Sequence, residues 1–337
     1  MKSIVSGRKR AAVWLALLLL SVCALGGCRK EGGGSTAGGG GTGGGGGKKV
    51  VGFSQMEMDG PWRIAETESM RAEAAKHADK YDFRLTVAQG DTAKQAANVE
   101  DLVAQRVDAI FLAPREKVGF EQTLQTAKEA GIPVILVDRE AAGTAGEDFV
   151  TVLKSDFIEQ GRRAAEWLAR ASNGKASIVE LSGTTGASVT QDRAKGFADE
   201  IAKHPEMKII QSQTGDFNRA KARDVMQNII QARGKEITAV YAHNDEMALG
   251  AIQALEAAGM KPGTEVLIVS VDGQKSALQA IIDGKMNVTV ESNPRFGPLA
   301  FATLEKFLRG EKLPPVIGIE DRIFDKTNAA QFLNEAY

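Results

Sequence analysis

The chain has 337 residues, a formal net charge of −1 at pH 7, 43% apolar residues and 25% charged residues. These values are typical of a globular protein with one large core or two lobes. The near-neutral charge gives no reason to expect nucleic acid as a partner.

Residues 1–28 predict an export signal that ends in a lipid-modified cysteine. A basic head precedes the apolar run AAVWLALLLLSVCALGG, which has the length of a secretory signal core. A permanent membrane helix usually needs about 20 apolar residues, so that alternative is not favoured. The run ends in LGGC, residues 25–28, which resembles a bacterial lipobox, where the cysteine is acylated and becomes the mature N-terminus. We expect acylation of Cys28; ordinary cleavage beside an inert cysteine is the alternative.

Residues 29–47 predict a flexible tether, because they contain EGGGSTAGGGGTGGGGG. Glycine-rich loops that bind nucleotides follow a strand, and no strand is predicted before this segment. A glycine-rich linker of this kind has no preferred structure. We therefore expect an exported globule that is held on the outer side of the cytoplasmic membrane or in the periplasm.

The folded part after the tether offers little for thiol or metal chemistry. Cys23 and Cys28 are the two cysteines of the chain, and both precede residue 29. A disulfide, a thiol nucleophile or a Cys-ligated metal in the folded part is therefore excluded. The three histidines, His77, His204 and His243, lack the spacing of metal ligands. We expect no cofactor and no metal.

From residue 48 onward, short apolar runs alternate with amphipathic segments. The predicted strands are 49–54, 83–88, 109–113, 133–138, 176–181, 208–212, 238–242, 265–271 and 287–291, and the predicted helices include 61–80, 92–106, 157–171, 216–233 and 294–309. This alternation predicts parallel sheets built from βαβ units. Nine strands over about 290 residues fit two doubly wound lobes better than one. The extended run DFVTVLKSD predicts a first crossing between the lobes near Ser155.

Polar and aromatic side chains follow most of the predicted strands. The segments after strands one, four, six, seven, eight and nine include DGPWR, VDRE, GDFNR, AHNDE, VDGQ and VESNPR. In open α/β sheets, ligands bind at the carboxyl ends of the strands. Carboxylates, amides and the forked donors of arginine suit vicinal hydroxyls, and an aromatic ring covers the apolar face of a sugar. This set predicts a site for a neutral polyol.

At these residues the chain resembles the exported sugar-binding proteins of ABC transporters, specifically the ribose-binding type of type I periplasmic binding proteins. The resemblance runs from about residue 50 to about residue 310 and includes VDR, GASVTQDRAKGF, GDFNRAKARDVMQNII, AHNDEMALGAIQALEAAG and VDG, in this order. Through VGFSQ, PWRIAE, GTTGASV and YAHNDEM it is most similar to the galactofuranose-binding members. It implies an N-terminal lobe of residues 48–155 and 292–318, a C-terminal lobe of residues 156–291 and 319–337, and a hinge of three crossings.

The resemblance also implies which residues contact the sugar. They are Trp62, Arg63, Asp138, Arg139, Arg193, Phe217, Asn244, Asp272 and Glu291, with Asp216 as a further candidate. Each also has a purely structural interpretation, such as a core aromatic, a loop ion pair, a turn residue or a solvated charge. In the triplet after strand seven, we expect Asn244 to face the sugar, Asp245 to cap the next helix, and His243 to pack or face solvent.

Two departures from the ribose-binding pattern favour a hexose over ribose. Ribose-binding members commonly have paired aromatics where this chain has Trp62 and Arg63, and an amide where it has Glu291. Opposite charges near the cleft would lack hydroxyl partners on a pentose, so we expect a hexose, with galactofuranose first by resemblance. The tail after residue 310 matches poorly, and the third crossing is placed near 318–320.

The leading hypothesis is therefore a monomeric binding protein that delivers a monosaccharide to an ABC permease. Its lobes close over the sugar, and its only membrane contact is the lipid anchor. A sugar sensor for a chemoreceptor or histidine kinase is the alternative. A glycoside hydrolase with paired carboxylates is a remote one, since neighbouring arginines are expected to keep those carboxylates ionised. A transcriptional repressor of the same architecture would have a DNA-reading module where this chain has its signal and tether.

Overall fold

The computed structural model describes residues 47–337. The predicted signal segment, the acylation of Cys28 and almost all of the predicted tether therefore lie outside the described residues. Within residues 47–337, no helix is long and apolar enough to cross a membrane, and no group of three or more acidic, histidine or cysteine side chains is arranged to hold a metal ion.

Two six-stranded sheets form the centres of two lobes. The first sheet has the order β11-β5-β4-β3-β1-β2, and all its strand pairs are parallel. Its strands are β1 (Lys49–Gln55), β2 (Tyr81–Val87), β3 (Ala109–Ala113), β4 (Val134–Val137), β5 (Val152–Ser155) and β11 (Val316–Ile319). The central strands β3 and β4 are apolar and buried along their whole length, as expected for a parallel sheet that is covered on both faces.

The second sheet repeats this plan in the order β12-β10-β9-β8-β6-β7. Its strands are β6 (Lys175–Ser182), β7 (Glu206–Thr214), β8 (Ala239–Ala242), β9 (Leu267–Asp272), β10 (Val288–Glu291) and β12 (Ile323–Asp325). Only β12 runs antiparallel to its neighbour, β10. The predicted fold class, two doubly wound α/β lobes joined by a hinge, is confirmed.

Ten helices cover the two sheets within the described residues. They are α1 (Pro61–Lys76), α2 (Thr92–Ala104), α3 (Glu121–Glu129), α4 (Phe157–Ala171), α5 (Ser188–Ile201), α6 (Arg219–Arg233), α7 (Asp245–Ala257), α8 (Lys275–Ile282), α9 (Gly297–Leu308) and α10 (Ala329–Phe332). The side chains of Asp91, Asp156, Asn218 and Asn244 cap α2, α4, α6 and α7 by accepting a backbone N–H of the first turn, which satisfies donors that the helix itself leaves free.

The chain passes between the sheets three times. It leaves the first sheet after β5, returns between β10 and α9, and leaves again between β11 and β12. The third passage therefore occupies residues 320–322, and β11 ends one residue beyond the boundary expected at 318.

Three predicted helix ends differ from the structure by three residues or more, and the other differences are smaller. The helix predicted from residue 216 begins at Arg219, because Asp216 and Phe217 have φ angles of 57° and 56° and form a left-handed turn. The helix predicted from residue 294 begins at Gly297, and the helix predicted to reach residue 80 ends at Lys76.

Helices α4 and α5 approach each other closely at two glycines. A Cβ atom on Gly161 would lie 2.2 Å from the carbonyl oxygen of Arg193, and one on Gly196 would lie 1.9 Å from that of Ile158. Real Cβ atoms do not approach a backbone oxygen this closely, so only glycine permits the contact. The close approach fixes the position of Arg193, on α5, relative to α4.

Candidate functional site

A cavity of about 460 Å³ lies between the two lobes, at the carboxyl ends of both sheets. Ligand pockets commonly have volumes of about 300–1,000 Å³. The structure brings nine of the ten predicted residues to this cleft, namely Trp62, Arg63, Asp138, Arg139, Arg193, Asp216, Phe217, Asn244 and Asp272. Segments from both lobes that are distant in sequence therefore form a single site.

Arg63 ties the start of α1 to the end of β4. Its guanidinium donates to Asp138 Oδ2 at 2.6 Å and to Glu66 Oε2 at 2.8 Å, and all three residues are buried. Burial alone would lower the pKa of Arg63, but Asp138 and Glu66 reverse this and raise it above its ordinary value. Burial, helped by Asp138, raises the pKa of Glu66 to about 7 despite the attraction of Arg63. Arg63 is thus held in place by carboxylates as well as lining the cleft.

Arg139 is buried with donors that the protein leaves unused. Its Nη1 donates to the carbonyl of Arg115 at 2.9 Å, and its Nε, 3.5 Å from Asp138 Oδ2, has no hydrogen-bond partner among the described residues. Its guanidinium lies 5.2 Å from the ring of Phe217 in the other lobe. Burial and the neighbouring charge of Arg63 lower the pKa of Arg139 to about 9. A guanidinium has five N–H donors, and this one lines the cleft while making a single hydrogen bond among the described residues, which fits a hydroxyl-bearing ligand.

Arg193 and Asp272 form the matching pair in the second lobe. Arg193 Nη2 lies 3.5 Å from Asp272 Oδ1, and its Nε donates to Gln160 Oε1 at 2.9 Å. Burial raises the pKa of Asp272 well above its usual range, and Arg193 offsets this only in part. At Asp272 the attraction of the arginine, on which the expectation of ionised cleft carboxylates rests, is therefore opposed by the loss of hydration.

In the triplet after β8, residues 243–245, the residue that caps α7 is not the one that was predicted. Asn244, not Asp245, caps α7, with its Oδ1 accepting Met247 N–H at 3.0 Å, and Asn244 also lines the cleft. Asp245 is fully buried and accepts from the Thr289 hydroxyl at 2.7 Å and from Gln274 N–H at 2.9 Å. Asp245 therefore holds the second sheet to α8, and the assignment of the cap to it is wrong.

His243 is fully buried and packs, which was one of the two placements expected for it. Its Nε2 lies 3.1 Å from Glu180 Oε1, a buried pair that was not predicted. Burial lowers the pKa of His243 despite the nearby carboxylate. The carbonyl of His243 accepts a hydrogen bond from Arg193, so this residue supports the site from behind.

The aromatic residues shape both sides of the cleft. Trp62 Nε1 donates to the carbonyl of Ser292 at 2.8 Å, and its ring meets Phe296 edge-on with a centroid distance of 6.2 Å. These contacts fix the indole beside the second crossing. Phe217 lies directly over Gly183, where a Cβ atom would be 2.0 Å from the ring. The left-handed turn at Asp216 and Phe217 presents both side chains to the cleft.

Glu291 does not line the cleft, so the structure contradicts its predicted placement there. Its two carboxylate oxygens accept from Arg322 Nη2 and Nε, both at 2.8 Å, and Oε2 also accepts Arg322 N–H at 3.0 Å. This bidentate pair joins the second and third crossings. Arg322 lies in the tail whose sequence matched the family poorly, so the partner of Glu291 was not recognisable.

Arg115, at the end of β3, is a cleft residue that the sequence reasoning missed. Its guanidinium lies 3.7 Å from Glu57, 3.8 Å from Glu116 and 3.8 Å from Asp216 of the second lobe. None of these contacts is a hydrogen bond, and within residues 47–337 the Arg115 guanidinium makes none elsewhere, so its donors are available to a ligand in the cleft that it lines. The pattern that predicted the polyol site, polar side chains directly after a strand, also applies to APREK, residues 113–117.

Direct contacts across the mouth show that the lobes are closed together. Lys117 N–H donates to the carbonyl of Gly186 at 3.0 Å, and Glu140 N–H donates to Ser188 Oγ at 3.0 Å. Lys154 Nζ lies 3.6 Å from Asp192 Oδ2. The cleft therefore presents donors and acceptors of both lobes to one small polar molecule.

Known proteins share this architecture. A family model described as a periplasmic binding protein domain matches residues 51–312. The galactofuranose-binding protein YtfQ of Escherichia coli K12 is 44% identical over 269 residues, which cover 78% of this chain and 83% of that protein.

Two solved structures have the same fold at similar identity. A crystal structure of a galactofuranose binding protein has a TM-score of 0.83 and 40% identity, covering 85% of this chain and 98% of its own. The binding protein of the arabinose ABC transporter from Shewanella sp. ANA-3, solved with α- and β-L-arabinofuranose, has a TM-score of 0.82 and 41% identity, covering 85% and 95%.

Proposed function

The chain belongs to the periplasmic binding protein family, and from this premise we propose that it captures a monosaccharide between its lobes and delivers it to an ABC permease. One observation carries the proposal. Arg139 is buried at the closed interface and lines the cleft, and its guanidinium donates one hydrogen bond among residues 47–337, opposite Arg193, Asn244 and Asp272 of the other lobe. A ligand that bridges these groups stabilises the closed form over the open one.

The favoured ligand is a sugar in its five-membered ring form, with galactofuranose first. Of two relatives with about 40% identity, one is a galactofuranose-binding protein and the other was solved with arabinofuranose bound. The two sugars share the furanose ring and differ in the exocyclic tail. Trp62 offers a broad face to the ring, and the free donors of Arg115 suit the hydroxyls of a longer tail. Glu291 no longer contributes to the argument for a hexose, because Arg322 occupies its carboxylate.

Titration calorimetry with galactose, ribose, glucose, arabinose and fructose, followed by a crystal structure with the best binder, tests this function. The furanose form is a minority of free galactose, so its apparent affinity is reduced by that fraction even when the site binds the furanose tightly. Failure to bind any of these sugars would contradict the proposal. A six-membered ring in the electron density would refute the furanose preference alone.

Membership of the family implies export and places the chain among binding proteins rather than enzymes. We further propose that Cys28 carries a lipid anchor, that the glycine-rich segment tethers the monomeric lobes to the membrane, and that the permease is the protein partner. The proposed anchor rests on LGGC, residues 25–28, at the end of the apolar run.

A further inference from the structure

A chain of hydrogen bonds connects the cleft to the hinge. Gln160, on α4, is 1% exposed. Its Oε1 accepts from Arg193 Nε at 2.9 Å, and its Nε2 donates to Asp321 Oδ2 at 2.7 Å and to the carbonyl of Glu291 at 3.2 Å. The amide therefore touches a cleft arginine on one side and two of the three crossings on the other.

The carboxylate of Asp321 completes the connection. Its Oδ1 accepts from the Ser155 hydroxyl at 3.1 Å and from Asn293 N–H at 3.4 Å. Ser155 ends β5 at the first crossing, Asn293 belongs to the second, and Asp321 itself lies in the third. One side chain thus contacts all three crossings, and Gln160 joins it to Arg193.

We propose that Gln160 is a positioning residue that couples Arg193 in the cleft to closure of the hinge. This inference rests on the proposed function, since it takes Arg193 to be a sugar contact. When the sugar holds Arg193 in its observed orientation, Nε is directed at Gln160, and the amide is then oriented toward Asp321 and the three crossings. Occupancy of the cleft and the geometry of the hinge therefore stabilise each other.

Only an amide satisfies both ends of this connection. Arg193 offers a donor and Asp321 an acceptor, and a glutamine side chain has one group of each kind. A carboxylate at position 160 would suit Arg193 but would face the carboxylate of Asp321. Changing Asp321 to asparagine at the same time restores the match at position 321, because the new amide donates to the carboxylate at 160 and its oxygen still accepts from Ser155 and Asn293. The carbonyl of Glu291 still loses the donor that Gln160 supplies.

The test compares Gln160→Glu, Asp321→Asn and the double variant with a reference chain that carries none of these changes, and all four proteins carry Cys28→Ser. Galactose is the probe, and its affinity is measured by calorimetry. Closure is measured by energy transfer between labels on Glu129→Cys and Asp224→Cys, two positions that are exposed in opposite lobes. Measurements at about pH 8 keep Asp321 ionised, because burial raises its pKa only to about 6. Gln122→Glu, on an exposed part of α3, adds the same charge away from the hinge.

We expect Gln160→Glu to weaken galactose binding about tenfold or more and to reduce the closed fraction. The double variant should recover most of both, and Gln122→Glu should change neither. Unchanged affinity and closure in Gln160→Glu, or a double variant no better than it, would overturn the coupling. If Gln160→Glu does not fold, Gln160→Met removes all three hydrogen bonds of the side chain without adding a charge, and wild-type affinity in that variant overturns the coupling.

The same experiment distinguishes this inference from the proposed function. If the reference chain binds no galactose, the ligand assignment fails, and the closed fraction of the free protein decides the coupling. A closed fraction that falls in Gln160→Glu and recovers in the double variant supports the coupling. Equal closed fractions in the reference chain, Gln160→Glu and the double variant refute the coupling.

Discussion

Arg139→Met is expected to weaken sugar binding and to stabilise the ligand-free protein. Arg139 is 4% exposed, and Asp138, its nearest carboxylate, is already engaged by Arg63 at 2.6 Å. Methionine has a similar length and no charge, so it fills much of the same space without a buried cation. The residue thus contributes to ligand binding at the expense of stability.

The size of both effects follows from the environment of Arg139. The pKa of Arg139 falls from the ordinary 12.5 to about 9. Each pKa unit corresponds to about 1.4 kcal/mol, so the charge of Arg139 lowers the free energy of unfolding by at most about 5 kcal/mol. Water in the cleft reduces this, so we expect a gain of about 1–3 kcal/mol and a Tm higher by a few degrees. Losing the donors should weaken binding by about 2–4 kcal/mol.

The sign and pH dependence of the stability gain are also fixed. A cation whose folded pKa is lowered costs stability wherever it is charged in both states, which for Arg139 is below about pH 9. The gain in Arg139→Met should therefore be equal at about pH 6 and about pH 8.

Calorimetry and thermal melting of the ligand-free protein measure the two effects. Arg71→Met, at an exposed arginine of α1 that pairs with Glu68, is the matched control and should change neither. A clearly lower Tm for Arg139→Met, or unchanged sugar affinity, would refute the reasoning.

Three further outcomes are expected. Gly161→Ala should weaken sugar binding and destabilise the protein by about 1–3 kcal/mol, because its Cβ would lie 2.2 Å from the carbonyl of Arg193; calorimetry and melting check this, with Gly318→Ala, at an open position, as control. Asp272→Asn should raise the Tm increasingly as pH rises above about 4, because burial raises the pKa of Asp272 and makes its ionised form costly; a constant Tm difference between about pH 4 and pH 8 would contradict this. Cys28→Ser should release the protein from membranes, because acyl chains are the proposed anchor; retention of a chain with a processed N-terminus, detected by fractionation and mass spectrometry, would count against lipidation.

The sequence predicted the fold class and nine of the twelve described strands because strand and helix periodicities are local. Buried runs such as Ala109–Ala113 and helix caps such as Asp156 and Asn218 are signals that need no knowledge of distant contacts. The predicted strands did not include β5, which was expected only as an extended crossing, or the edge strands β11 and β12. The start of α6 was missed because the positive φ angles of Asp216 and Phe217 depend on their packing over Gly183.

The strand-end pattern predicted where the site lies, and the resemblance implied its residues, but neither predicted contacts between distant partners. Asp138 and Arg139 follow β4, Asp272 ends β9, and all three line the cleft. The pairing of Glu291 with Arg322 joins two different crossings, and Gln160 meets Asp321 across 161 positions of sequence. Local sequence patterns do not contain this information, since each partner alone has the appearance of an ordinary surface charge or helix amide.

The discontinuous lobes have a consequence for folding. The edge strand β11 of the first sheet and the edge strand β12 of the second are the last two strands along the described chain. Neither sheet can be complete until residues 316–325 have been synthesised. Contacts between segments so distant in sequence form slowly. The topology therefore delays completion of the native structure in both lobes until almost the whole chain is available.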